Sequence, residues 1–249
     1  MKLNLKWDLP SNQDIIFNRG QDRLLFGHMI KEYTPISQQG QIGSCAANAG
    51  ADALEIVLAN AREDKTNIPQ VSRKHLYYAC RSWDGNEGED SGTSIRTVMR
   101  TLHHVGACPE DVWGYDENYK QAPSLEATIR ASENKIDGYS RIANVKQERV
   151  LDLAAAVDGD HPVVFGTGVG DEFMSLYGDG VLAPPTSIIG YHALVVVGYR
   201  VVDGRVQFRI RNSWGEAWGD GGRCWLDQDY MTDDMTSDLW VVTKMSEFA

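Results

Sequence analysis

Cys45 stands where a polar, glycine-rich loop, Gln39-Gly40-Gln41-Ile42-Gly43-Ser44, runs into an apolar, helix-favouring stretch over residues 49–61. A thiol in the first turn of a helix faces unpaired backbone N–H groups and the positive end of the helix dipole, and both favour the thiolate. Gln39, six residues upstream, can donate a side-chain amide hydrogen bond into the same space. That is the layout of a nucleophile with an oxyanion donor beside it. Alone, it reads sooner as a small buried cysteine on a helix. Two later stretches decide between them. In Gly190-Tyr191-His192-Ala193-Leu194-Val195 a histidine opens an apolar strand, and in Ile210-Arg211-Asn212-Ser213-Trp214-Gly215 a strand ends in an asparagine followed by a Trp/Gly-rich turn. An imidazole can hold the thiolate as an ion pair, protonate a leaving amine and activate water, and an amide oxygen can fix its tautomer.

The order Gln–Cys, His, Asn–Ser–Trp resembles the papain/cathepsin family of cysteine peptidases. His192 and Asn212 follow Cys45 at about that family's spacing, Asn212 slightly beyond it. The resemblance implies an α+β fold of two lobes, a helical N-terminal lobe and an antiparallel β-sheet lobe with the cleft between them. It implies Cys45, His192 and Asn212 as catalytic residues, Gln39 and the Cys45 N–H as the oxyanion hole, and Gly92, Tyr191 and Trp214 at the substrate cleft, with Trp214 shielding the Asn–His contact. Ile42 stands where that family carries a cysteine, so the corresponding disulfide is absent, and Ala46 stands where it carries an aromatic residue. The implied activity is hydrolysis of peptide bonds through a thioester. The same thioester serves an acyltransferase or ligase, or an isopeptidase, and the fold also serves as a binding module.

The positioning elements follow along the chain. Leu54, Val57 and Leu58 give the Cys45 helix one buried face. Ser72 caps a helix reaching about Arg81, and Ser94 opens another that runs to His104 and closes at Gly106. A helix is expected over 148–157 and strands over 162–166, 192–199, 206–210, 222–226 and 239–243, with Asp203-Gly204 as a hairpin turn. Helices then strands is α+β by segregation. Residues 34–122 are expected to form the helical lobe and 123–249 the β-rich lobe, with the crossing near 119–124. Residues 1–33 carry mixed signals, with a turn at Pro10-Ser11-Asn12 and a short strand or crossing over 23–30. They are longer than the family's mature start and shorter than its usual propeptide. The expectation is no autoinhibitory propeptide of the usual kind, with the extra residues packed on the body or near the cleft.

Composition narrows the class. The chain has 249 residues, 42% hydrophobic and 24% charged, with net charge -11. It is a soluble globular type, and the acidic balance argues against nucleic acid or an anionic membrane as partner. The expected partner is a polypeptide substrate, acted on by a monomer. No signal-peptide h-region or membrane span is visible, so the expected location is cytoplasmic, or reached by a signal-independent route or by a trimmed chain. With Cys45 as nucleophile, Cys80, Cys108 and Cys224 remain. An odd remainder without CxxC favours reduced thiols and no zinc site, although Cys80 and Cys108 could pair. No cofactor or metal is expected: Glu87, Glu89 and Asp90 lack EF-hand spacing and read as a solvated loop, as do Asp227, Asp229, Asp233, Asp234 and Asp238. His103 and His104 read as surface or packing residues.

Overall fold

The computed structural model describes residues 1–9, 11–21 and 24–243. Helix α1 (Cys45–Asn60) lies at the centre, with every residue from Cys45 to Ala59 buried. The one-faced pattern of Leu54, Val57 and Leu58 is therefore too narrow. Alanine and Gly50 cover the rest of the surface, and small residues let neighbours approach on every side. A Cβ on Gly50 would sit 2.3 Å from a Val98 methyl. Helices α2 (Arg73–Trp83) and α3 (Ile95–His104) pack on it. Each begins as the sequence dictates: Ser72 accepts from the His75 N–H and Ser94 from the Thr97 N–H, filling one of the first turn's orphan donors.

The sheet faces α1. Its strands are β1 (His28–Met29), β2 (Gly138–Ile142), β3 (Val163–Val169), β4 (Val181–Leu182), β5 (Gly190–Val202), β6 (Arg205–Arg211), β7 (Arg223–Asp227) and β8 (Ser237–Thr243). They run in the order β2-β8-β3-β5-β6-β7-β4, with β1 paired to β5. All pairings are antiparallel except β4 with β7. Asp203 and Gly204 both adopt positive φ, 50° and 76°, which is what a tight β5–β6 hairpin requires. Helices α4 (Leu125–Arg130), α5 (Lys146–Asp158), α6 (Asp171–Met174) and α7 (Gln228–Thr232) fill the flanks. Of the 23–30 stretch, His28 and Met29 form the short strand and Arg23 lies outside the described residues, as does Pro10 of the expected turn.

Three members of the acidic runs depart from the solvated loops expected of them, while Glu89, Asp229 and Asp234 are exposed. Asp90 receives the Gly43 N–H, the Tyr77 hydroxyl and Lys2 Nζ. Asp227 caps α7 and pairs with Arg205, while Asp238 is buried against Arg141. In each case a partner distant in sequence recruits the carboxylate. All four cysteines are free thiols, so Cys80 and Cys108 do not pair.

A buried ion network fastens α1 to the sheet. Arg73 bridges Asp52 at 2.6 Å and Glu55 at 2.9 Å, and Arg211 bridges the same Asp52 at 3.2 Å and Glu32 at 2.7 Å. These carboxylates hold both guanidiniums charged, above their ordinary pKa. Arg211 precedes Asn212, so the network sets that asparagine against the Cys45 helix. Asp52→Ala leaves two buried cations short of a partner and is expected to cost about 3–5 kcal/mol, read as a lowered midpoint in denaturant unfolding.

Candidate active site

Cys45 is the first residue of α1, and Ser44 takes the capping position without a side-chain cap. The Ser44 hydroxyl instead meets the Tyr115 hydroxyl at 2.7 Å, which itself donates to the Gln39 carbonyl at 2.8 Å. Asn48 Nδ2 donates to the Ser44 carbonyl and hydroxyl, and Gly43 N–H donates to Asp90. The loop before the thiol is thus pinned at four points.

His192, third in β5, pairs across the sheet with Thr167. Its Nε2 lies 2.8 Å from Asn212 Oδ1, just beyond β6, and that oxygen also accepts the Ser213 N–H at 2.7 Å. An amide oxygen accepting from Nε2 puts the imidazole proton there and leaves Nδ1 as the free base. Nδ1 is buried and has no partner among the described residues. The next backbone N–H in the strand, that of Ala193, is directed at the Cys45 thiol, as are those of Cys45 and Ala46. The Cys45 thiol thus lies at the α1–β5 junction, on the strand that carries His192. Trp214 stacks on His192 with ring centroids 4.7 Å apart, and Phe173 and Trp218 pack behind it, which keeps water from the His–Asn contact.

Gln39 is fully buried. Its Oε1 accepts from the Ser213 hydroxyl at 2.8 Å, so Nε2 is the end turned toward the loop and the cleft, donating to Ile42 O at 3.2 Å and Lys2 O at 3.4 Å. Ser213 thus fixes which way the amide points. This contact was hidden within the Asn–Ser–Trp stretch, where nothing local marks its long-range partner.

The cleft is occupied by the chain's own start. Residues 2–7, here the strap, run extended between the α-helical face and the sheet. Asn4 brings a backbone N–H to the Cys45 thiol, and a Cβ on Gly92, whose φ is +69°, would meet Asn4 O at 1.8 Å. Lys6 N–H donates to Thr93 O, forming a parallel bridge to Ser94. The side chains alternate. Lys2, Asn4 and Lys6 turn to Asp90 and Ser91. Leu3 and Leu5 lie over Gly190 and Gly166, where a Cβ would come within 2.6 Å of either, and Trp7 sets its edge on Tyr191 at 4.9 Å. Of the N-terminal residues, 2–7 lie in the cleft, while Asp8, Asp14, Arg19 and the strand His28–Met29 pack on the body. The strict alternation Lys-Leu-Asn-Leu-Lys-Trp was the available signal, six residues of strand pattern.

The occupation changes the electrostatics expected of the pair. Burial pushes the Cys45 thiol up, opposed by the four N–H groups aimed at it, and burial pushes His192 down to about 4 against the contrary pull of Asn212. With the strap in place both groups are driven toward their neutral forms, against the thiolate–imidazolium pair that the helix terminus favours. Of the residues expected at the substrate path, Gly92 approaches Asn4 and Tyr191 meets Trp7, both on the strap, while Trp214 stacks on His192. No group of three or more His, Cys, Asp or Glu side chains suited to a metal occurs among the described residues.

A thiol at a helix start, with an imidazole on the adjoining strand and an amide holding that imidazole, is the arrangement expected of a papain-like cysteine peptidase. Residues 28–239 match the papain family of cysteine proteases, and the chain belongs to that family. It is 33% identical to an uncharacterized peptidase C1-like protein, L477, of Acanthamoeba polyphaga mimivirus, over 84% of this chain and 70% of that one. It is 31% identical to cathepsin J of Mus musculus over 76% of this chain, but spans only 58% of the cathepsin's length. Among solved structures, xylellain, a cysteine protease from Xylella fastidiosa, superposes with a TM-score of 0.85 at 27% identity, covering 98% of this chain and 96% of that one.

Proposed function

We propose that this chain hydrolyses peptide bonds in polypeptides, with Cys45, His192 and Asn212 as its catalytic residues. The Cys45 thiolate adds to the peptide carbonyl carbon. The carbonyl oxygen takes the negative charge and accepts from Gln39 Nε2 and the Cys45 N–H. His192 Nδ1–H protonates the amine as the C–N bond breaks, leaving a thioester. Water then attacks that carbonyl, giving its proton to Nδ1, and the thiolate leaves with a free acid as product. Asn212 positions the ring throughout. The observation that carries this reading is the Nε2–Asn212 contact, which leaves a buried Nδ1 with no partner among the described residues, on the strand next to the Cys45 thiol.

On the same reading, residues 34–122 and 123–249 act as the two lobes, and Gly92, Tyr191 and Trp214 line the substrate path. The enzyme works as a monomer in the cytoplasm and needs no cofactor. Four free thiols support a reducing compartment, and the charge of -11 disfavours nucleic acid. Among the described residues no helix is long and apolar enough to cross a membrane.

The test is mass-spectrometric product analysis of a mixed peptide library, using the full chain and a form lacking residues 1–7, each with and without Cys45→Ala. New carboxyl termini formed by both thiol-bearing proteins and by neither Cys45→Ala form are expected. An added amine that captured most of the acyl group would make the enzyme a transferase instead. Inertness of the shortened, folded, Cys45-bearing form would overturn the peptidase reading.

A further inference from the structure

The strap is fastened at both ends, and the two fastenings differ. At its start, Lys2 Nζ meets Asp90 at 2.6 Å, a positive-to-negative contact. At its end the charges do not balance. The Asp8 carboxylate accepts the Arg96 N–H at 3.1 and 3.2 Å and the Trp240 indole N–H at 2.8 Å. The Asp8 N–H donates to Asp238 Oδ2 at 2.8 Å. Asp238 also accepts from Arg141 at 2.9 Å, and Asp14, six residues beyond Asp8, accepts from both Arg96 and Arg141. Asp8 and Asp238 are buried, and the Asp14 side chain is 6% exposed.

Three sequestered carboxylates therefore share two guanidiniums. Among the described residues, the elements around them supply no further cation to the cluster. From α3, Arg100 turns to Trp83, and His103 packs its ring edge against Tyr139 of β2; Tyr139 in turn edges Trp240 of β8. With every acid ionised the cluster carries one uncompensated negative charge away from water. With one proton retained it is neutral. Two carboxylates in one desolvated site cannot both ionise freely, so one keeps its proton well above the ordinary range.

We propose that the strap is a self-occluding segment latched at Asp8, held shut while Asp238 keeps its proton and loosened when Asp238 gives it up. This rests on the cleft being the peptidase site proposed above. The latch joins an element that covers the thiol to two elements, α3 and β8, that stay in the body, so weakening it frees the strap without unfolding the site. Burial first, and the Asp8 charge second, push Asp238 up to about 6. An acid raised on docking makes docking strongest below the undocked value, near 4. The advantage is lost as pH climbs through about 6. For that interval the docking constant falls about tenfold between pH 5 and pH 7.

Hydrogen exchange read by mass spectrometry on the full chain carrying Cys45→Ala, which removes any self-cleavage, tests this. After correction for intrinsic exchange, protection of the amides of residues 3–7 is expected to fall about tenfold from pH 5 to pH 7, while those of β5 hold. Adding Asp238→Asn, which keeps the side chain's shape and tolerates the positive φ of 53° there, is expected to flatten the dependence to within about twofold. Asp8→Asn, which also leaves two carboxylates for two guanidiniums, should flatten it too if Asp238→Asn does not fold. Protection that is flat with pH in the parent, or that falls equally in both folded Asn variants, overturns the latch. Because the readout is exchange and not turnover, failure of the latch and failure of the peptidase reading are told apart.

Discussion

Removing residues 1–7 is expected to raise the rate at which an epoxysuccinyl-peptide alkylates Cys45 by about 10²-fold at pH 6 to 7. In the full chain the inhibitor must wait for the strap to leave, so its apparent affinity is reduced by the fraction of molecules that are open. Leu3 and Leu5 sit over glycines, and each would give up on the order of 2 kcal/mol of apolar burial on leaving. The ordering entropy of six residues opposes them, and the polar contacts of Lys2, Asn4 and Lys6 add back. A net hold of about 3 kcal/mol is the scale of the 10²-fold effect. The cut stops before Asp8 because Asp8, Asp14 and Arg19 tie the rest of the segment to the body. The pH profile should move as well. Burial now pushes the thiol up and the imidazole down, so admitting water relaxes both, and the acid limb of alkylation should shift to lower pH. Intact-mass kinetics across pH 4 to 8 measure both effects. If the shortened protein loses its fold, Leu5→Asp in the full chain tests the same contact. Equal rates and superimposable profiles for the full and shortened proteins would show that the strap does not limit access.

The site and the strap differ in how far sequence alone could reach. Ser72 and Ser94 announced their helices because a cap acts within three residues, and Asp203-Gly204 announced the hairpin for the same reason. Gln39, Cys45, His192 and Asn212 were legible as a set because each sits at a marked junction, a loop-to-helix step or a strand end. What pairs them is long-range and left no local trace. Ser213 turning the Gln39 amide, Tyr115 tying Ser44 to the Gln39 carbonyl, and Asp52 serving two arginines more than a hundred residues apart belong to this class. Asp90 and Asp238 looked like solvated acids because their partners, Lys2 and Arg141, lie 88 and 97 positions away. Helix α1 misled differently. Its alanines and Gly50 carry little hydrophobic signal, yet they are what allows neighbours to close on every face. In the strap, two lysines and an asparagine diluted an alternating apolar pattern of only six residues.

His192→Gln is expected to cut kcat by at least about 10⁴ in the form lacking residues 1–7, with substrate binding far less affected. The argument rests on what the side chain touches. The imidazole's Nε2 is engaged by Asn212 at 2.8 Å while Nδ1 has no partner among the described residues. The ring therefore can neither rotate out of the site nor present the wrong nitrogen without losing that contact. A glutamine amide can still donate to Asn212 Oδ1 and fill part of the space under Trp214, so the site should stay folded. It cannot carry a proton. Two losses then compound: the thiol loses the imidazolium that would stabilise its anion, and the departing amine loses its acid. Proton transfer alone contributes about 10²–10⁴. The nucleophile falls to the few per cent of thiolate a free cysteine shows at neutral pH, less still where burial opposes it. Asn212→Ala should be milder, because it frees the ring without removing it. It should keep an imidazole limb in its pH profile at a lower plateau, whereas His192→Gln should lose that limb altogether. Steady-state kinetics of the three proteins from pH 4 to 9, with circular dichroism to verify folding, separate proton carrier from positioner. A His192→Gln form retaining a tenth of the parent kcat would remove His192 from the chemistry and leave Cys45 a buried thiol at a helix start.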